Sequence, residues 1–260
     1  YYIGGFYGTE QERKIIKFKG TQMEQTVFGA FGLKLDPDDL GIVYDHFTEF
    51  SAEQAEAYNK EYDKNPNRTG TIEKFEFSRQ RIFNFGYGFS QLVIDGMAVD
   101  KEGNIALSLS SLEEPYSDGD KTLMNMIICQ FKIGTSGSIN HFKIISKRQQ
   151  TYGTIGSPDY FFSSLVCTPT AIVSIYNDDE NNIDNLTNMN INISKADKKS
   201  LLVSAETKFD GTCKKYILLP ADKNVLIRTV FTLYIDYNLS FAIATRDKGE
   251  VVLLKITSEG

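Results

Sequence analysis

The chain contains no tryptophan, so its 14 tyrosines and 18 phenylalanines must supply every large aromatic side chain, in the core and on any surface platform. Cysteine is scarce. Cys129, Cys167 and Cys213 do not fall at metal-ligand spacing and no CxxC occurs, which removes the thiolate zinc sites. An odd number leaves at least one thiol unpaired within the chain, and this suits a cytosolic or a bacterial exported setting equally. Positive charge is in deficit, 28 basic against 34 acidic residues for a formal net charge of −6, whereas a general nucleic-acid binder needs the opposite balance. No apolar run approaches the roughly 18 residues that cross a bilayer. Absent too are a G-x-S-x-G elbow, a P-loop, a G-x-G-x-x-G turn and an H-E-x-x-H helix.

What is present is short-strand periodicity. Gln91–Val99 reads as a strand, Asp100–Asn104 as a turn with glycine at its left-handed position, and Ile105–Ser111 as a second strand. After a polar loop through Pro115, Asp118 and Gly119, the residues Ile127, Cys129, Phe131 and Ile133 alternate with Ile128, Gln130 and Lys132, the period-two pattern of a third strand. Gly134–Gly137 turns the chain into a fourth, Ser138–Lys147. Four antiparallel strands joined by tight turns form the blade unit of a β-propeller.

The pattern recurs. Second strands are expected to start near Tyr2, Ile105, Ala171 and Phe241, the last two intervals being 66 and 70 residues. The two histidines occupy matching places, Gly41-Ile42-Val43-Tyr44-Asp45-His46-Phe47 and Gly137-Ser138-Ile139-Asn140-His141-Phe142. Ser51 with Gln54 three residues later is a capping-box signature, and Pro66 ends the run, so one surface helix is expected over Ser51–Lys64. The third unit is expected to run from Phe161 through strands at Ala171–Tyr176, Asn190–Ser194 and Leu201–Thr207. The fold class that follows is all-β: a single domain over residues 1–260, a propeller-like repeat of four-stranded antiparallel blades with about four units visible and one inserted helix. The first unit lacks an opening strand and the last a closing one, and the chain begins at Tyr1 within a strand, so further N-terminal sequence is expected in the natural gene product.

The order G-G-F-Y-G, F-x-L-K-L-D, the helical insertion, D-G-x-A-V-D-x-x-G-N-I, I-S-K-R-Q-Q-T, I-Y-N-D, L-I-R and D-K-G-E-V-V-L-L-K-I resembles the C-terminal part of a group of uncharacterised, exported, propeller-like proteins of bacteria. The resemblance covers most of the chain. It implies an exported location, periplasmic or at the cell envelope, and carries over no catalytic residues.

Candidate sites are few. Lys147, Arg148, Gln149 and Gln150 close the fourth strand of the template, where a cation could grip a carboxylate or sulfate on a glycan while the glutamines bond hydroxyls. The same composition also fits an ordinary charged strand end. Asp178, Asp179, Glu180 and Asp184 crowd one asparagine-rich loop with the hard oxygen donors that calcium takes, in a spacing unlike an EF-hand, and an acidic solvated connection reads the same way. Asp36, Asp38 and Asp39 put carboxylates on one turn, as glycoside hydrolysis requires, but turn aspartates also cap their own backbone. The expected function is a binding or scaffolding module for a protein or carbohydrate partner, without nucleic acid or a membrane span. The alternative is a polysaccharide hydrolase or lyase on the same scaffold.

Overall fold

The computed structural model describes residues 1–15, 20–51, 53–54, 83–84, 90–113, 122–152, 163–184, 200–220, 225–236, 239–245 and 250–257. They form four antiparallel sheets in chain order, with almost no helix. Sheet 1 holds β1 (Tyr2–Ile15), β2 (Gly20–Leu35) and β3 (Ile42–Glu49), with the short β4 (Phe83–Asn84) paired to β2. Sheet 2 is the meander β5 (Ser90–Val99), β6 (Ile105–Glu113), β7 (Thr122–Ile133) and β8 (Ile139–Tyr152). Sheet 3 holds β9 (Ser164–Cys167), β10 (Ala171–Asp178), β11 (Leu201–Lys208) and β12 (Cys213–Leu219), and sheet 4 holds β13 (Leu226–Asp236), β14 (Leu239–Thr245) and β15 (Val251–Thr257). Apart from the β2–β4 pair, neighbours in each sheet are neighbours in sequence, and the described strands form no closed barrel or ring.

Alternation gives every strand two faces, and consecutive sheets stack by those faces. Against sheet 1, sheet 2 presents Ile105 and Leu107 of β6 with Phe131 and Ile133 of β7, all at most 2% exposed. The receiving slot is made by absence of side chains. Gly4 and Gly32 are paired across β1 and β2, and a Cβ added to either would come within 3.0 Å of an Ile105 methyl. Phe50 tilts against Phe131 at 4.7 Å between centroids and extends the contact.

The opposite face of sheet 2 meets sheet 3. Ala98 and Ala106 pack with Leu165, Cys167 and Ile172, and Ile145 packs with Tyr176, Leu201, Val203 and Ala205. The far face of sheet 3 then meets sheet 4 through Val166, Ile175 and Leu202 against Ile227 and Ala242. At one edge of the stack the opening strands β5, β9 and β13 approach one another.

The turns follow their residues. Gly103, Gly137 and Gly211 adopt φ of 85°, 86° and 89°, the left-handed region in which only glycine avoids a Cβ clash. Asp100 Oδ1 accepts from the Glu102 and Asn104 amides at 2.9 and 3.0 Å, closing the turn between β5 and β6. The polar piece after Thr9 continues β1 to Ile15 and returns in β2 from Gly20 as an extended hairpin. One assignment differs from expectation. In the third unit the closing strand is β12, which pairs with β11, while the expected strand at Asn190–Ser194 lies outside the described residues. The capping box forms: the Ser51 amide donates to Gln54 Oε1 at 2.9 Å and the Gln54 amide to Ser51 Oγ at 3.2 Å. The body of the expected helix, 55–64, lies outside the described residues.

This stacking predicts a specific coupling. Ile105→Ala should lower the free energy of unfolding by about 2–5 kcal/mol and Gly4→Val by about 1–3 kcal/mol. In urea denaturation the double variant should lose clearly less than the sum, because valine branches occupy the vacated volume. Strict additivity would mean that the two residues do not touch.

Candidate functional site

The two stretches singled out from the sequence meet each other, in the interior between sheets 2 and 3. In β8, Ser146 pairs with Ile127 and Gln149 with Asn125, so Lys147 and Arg148 stand together opposite Met126, a β-bulge. Lys147 is fully buried, with its ammonium 5.5 Å from the centroid of the Tyr176 ring. Gln149, also buried, donates through Nε2 to the Asn177 carbonyl. Arg148 and Gln150 lie on the same strand, and their side chains fall outside the described ones. Lys147 and Gln149 therefore do not stand at a solvated strand end; they face β10.

The acidic loop is divided by the same packing. Asp178 is fully buried, and its Oδ2 lies 3.1 Å from Lys215 Nζ, with both side chains shielded from solvent. Asp178 Oδ1 accepts from the Asp179 amide and from Asn182 Nδ2, each at 2.8 Å, while Lys215 also donates to the Asn182 carbonyl at 3.1 Å. Asp179 caps the 3-10 turn Glu180–Asn182 by accepting from the Asn181 amide at 3.0 Å. Glu180 and Asp184 are exposed. Among the described residues no group of three or more His, Cys, Asp or Glu side chains is placed to hold a metal ion.

Between these two residues, Asn177 points the other way, as alternation requires. Its Nδ2 donates to the Ile227 carbonyl and its Oδ1 accepts from the Ile227 amide, both at 3.0 Å, so one side-chain amide pairs with β13 as a strand would. Tyr176–Asp178 thus ties sheet 3 to both neighbours. The Tyr176 hydroxyl and Gln149 Oε1 are buried with no hydrogen-bond partner among the described residues. Burial, with Asp178 nearby, pushes the Tyr176 phenol well above its ordinary value and keeps it protonated.

The two histidines occupy equivalent contacts. His46 on β3 meets the turn of the next sheet, Nε2 lying 2.7 Å from the Thr135 carbonyl, and Thr48 Oγ1 donates to the Gly137 carbonyl. One sheet on, His141 on β8 lies edge to face with Phe209 at 5.6 Å, and Lys143 Nζ donates to the Gly211 carbonyl at 3.3 Å. Histidine, the residue two positions on, and the glycine of the following turn recur together. The histidines sit in different interfaces and share no site. Asp36 and Asp39 accept from the Asp38 and Gly41 amides at 2.8 Å, capping their own turn.

One exposed feature stands out. On β1–β3 the residues turned away from sheet 2 include Tyr7, Phe31 and Phe47, with Ile3 and Val43 on the same side. Phe47 is 64% exposed, stacked on Phe31 at 5.5 Å and edge-on to Tyr7 at 5.6 Å. Asp45 and Glu49 flank it on β3. No sequence signal separated this face from the buried one, since both carry aromatic and aliphatic residues. Comparison with known proteins finds no matching family model, no matching curated protein and no matching solved structure.

The pKa of His141 gives a pH prediction. Burial, then Lys132 and Lys143, hold its imidazole down to about 4 from 6.5. The unfolded chain therefore binds a proton that the folded chain refuses, and stability falls as pH drops from 6.5 toward 4, by up to about 3 kcal/mol. His141→Phe should remove that part of the slope in denaturation curves taken between about pH 7 and pH 4; an unchanged slope would contradict it.

Proposed function

We propose that this chain is a propeller-type binding or scaffolding module that engages a protein or carbohydrate partner through the outer face of sheet 1. The observation that carries the reading is the aromatic cluster of exposed Phe47 with half-buried Tyr7 and Phe31, on a sheet whose other face is packed. Apolar and aromatic side chains clustered on a surface cost solvation unless a partner covers them, and aromatic rings recur as interface anchors. The flanking carboxylates Asp45 and Glu49 supply hydrogen-bond acceptors at its rim. The propeller part of the reading draws on the repeated histidine and glycine contacts and on the approach of β5, β9 and β13. Export in a bacterium follows from the sequence resemblance alone. A hydrolase or lyase needs two titratable groups converging where substrate can reach them. The ion pairs Asp100–Lys132 and Asp178–Lys215 are both buried. No helix of the described residues is long and apolar enough to cross a membrane.

The test is binding by the whole chain on a glycan array and to candidate envelope proteins, with Phe47→Ala alongside. The platform reading expects retained folding and a loss of affinity of at least about tenfold, the scale of one anchoring residue. Equal affinity of the variant for every captured partner would overturn it.

A further inference from the structure

Among the described residues, four buried side-chain atoms lack a hydrogen-bond partner: Gln130 Oε1, His141 Nε2, Gln149 Oε1 and the Tyr176 hydroxyl. All four belong to the contact between sheets 2 and 3. Gln130 on β7 donates to Ser174 on β10, and His141 on β8 lies against Phe209 in the turn after β11. Gln149 on β8 reaches the Asn177 carbonyl, and Tyr176 on β10 packs on Ile145 of β8. The contacts on either side, sheet 1 with sheet 2 and sheet 3 with sheet 4, contribute none among the described residues. Taking a polar atom out of water without a replacement bond is unfavourable, so buried polar atoms of folded proteins are as a rule completed by a partner.

Two of the four atoms have a fixed chemical sense. Exchanging the ends of the Gln149 amide would set its oxygen against the Asn177 carbonyl oxygen, so Nε2 is the atom that faces Asn177 and Oε1 the acceptor left over. The Tyr176 phenol stays protonated, so its hydroxyl can donate as well as accept. The occupant beside them must therefore donate to an amide oxygen and bond a neutral hydroxyl. An anion has no proton to give to Gln149. A metal cation is opposed by the ammoniums of Lys147 and Lys215, 5.5 and 5.7 Å from the Tyr176 ring centroid, and the nearby Asp178 carboxylate is already engaged by Lys215, the Asp179 amide and Asn182. Water meets both demands in the smallest volume, with two protons to donate and two lone pairs to accept.

We infer that the contact between sheets 2 and 3 is a hydration site built into the fold, in which ordered water donates to Gln149 Oε1 and bonds the Tyr176 hydroxyl. The Gln149 amide rests on Asn177, the residue after Tyr176, which brings the two atoms to the same part of the contact. They come from opposite sheets, Gln149 from β8 and Tyr176 from β10, so the water adds to the direct bonds that cross between the sheets. The hydroxyl of Tyr176 is then a stabilising group rather than a desolvated one, and its removal has a sign that separates a wet contact from a dry one. The inference is independent of the aromatic face of sheet 1.

The experiment is a high-resolution crystal structure of the 260-residue chain, with urea denaturation of Tyr176→Phe, a variant that loses the hydroxyl oxygen and keeps the ring. Density for ordered water is expected within about 3.2 Å of Gln149 Oε1 and of the Tyr176 hydroxyl. Tyr176→Phe should raise the unfolding equilibrium constant by about fivefold and lower the urea midpoint, the loss expected for one hydrogen bond. Three results would overturn the inference: a protein group bonded directly to either atom, no density beside either atom, or an unchanged or higher midpoint in the variant, which is the response of a dry, unsatisfied hydroxyl. The crystal structure decides alone if the variant does not fold. Phe47→Ala should leave the water in place, so that failure of the aromatic face and failure of the hydration site are read separately.

Discussion

A small sheet with apolar side chains on both faces is not stable alone; each face must meet another. That constraint organises this chain. Among the described residues, sheets 2 and 3 have both faces covered by another sheet, and sheets 1 and 4 have one. The glycines of β1 and β2 are what let the first contact close, since Ile105 enters a slot that any side chain at Gly4 would fill. At the two ends the same alternation runs outward with no covering sheet among the described strands. Phe47 stands open on sheet 1, and Val251 and Leu253 are 64% and 67% exposed on sheet 4.

The middle contact differs from the outer ones in kind. Beside its apolar clusters it carries Lys147, Gln149, Asp178 and Lys215, with Gln130 donating to Ser174 at 2.8 Å. Burying an ion pair such as Asp178–Lys215 adds little net stability over an apolar pair of equal volume. Losing one member, however, strands a charge in the interior. Both members lie on sheet 3, so register between the sheets rests on the bonds that cross, Gln130 to Ser174 and Gln149 to the Asn177 carbonyl: sliding sheet 3 along sheet 2 would leave these polar atoms facing methyl groups, whereas an all-aliphatic contact would tolerate the slip. Asn177 does the same on the other side by pairing with the Ile227 backbone.

The sequence disclosed what is local. Alternation at Ile127–Ile133, the left-handed glycine 103, the turn at Gly134–Gly137, the Ser51 capping box and the matched His-Phe pairs all have their counterparts in the structure, because each depends on neighbours within a few residues. What stayed hidden depends on long-range placement. Alternation says that Lys147 lies on a face, but whether that face meets water or β10 is decided elsewhere in the chain. Asp178 looked like part of a metal loop because its partner Lys215 is 37 residues away, on a strand that carries no acidic motif of its own. The aromatic platform is hidden for the converse reason: aromatic residues such as Phe31 and Phe47 fit a core as well as a surface, and it is the lack of a covering sheet among the described residues that leaves Phe47 exposed.

The serial order of the stack is the claim on which the rest depends, and methyl-to-α-proton nuclear Overhauser contacts test it most directly. The account predicts contacts from the Ile105 methyls to the α-protons of Gly4 and Gly32, from Ile145 to Val203, and from Ile227 to Val166. Contacts that joined non-consecutive sheets instead, such as Ile105 with Ile227, or the loss of the Gly4 and Gly32 contacts in a folded sample, would contradict it.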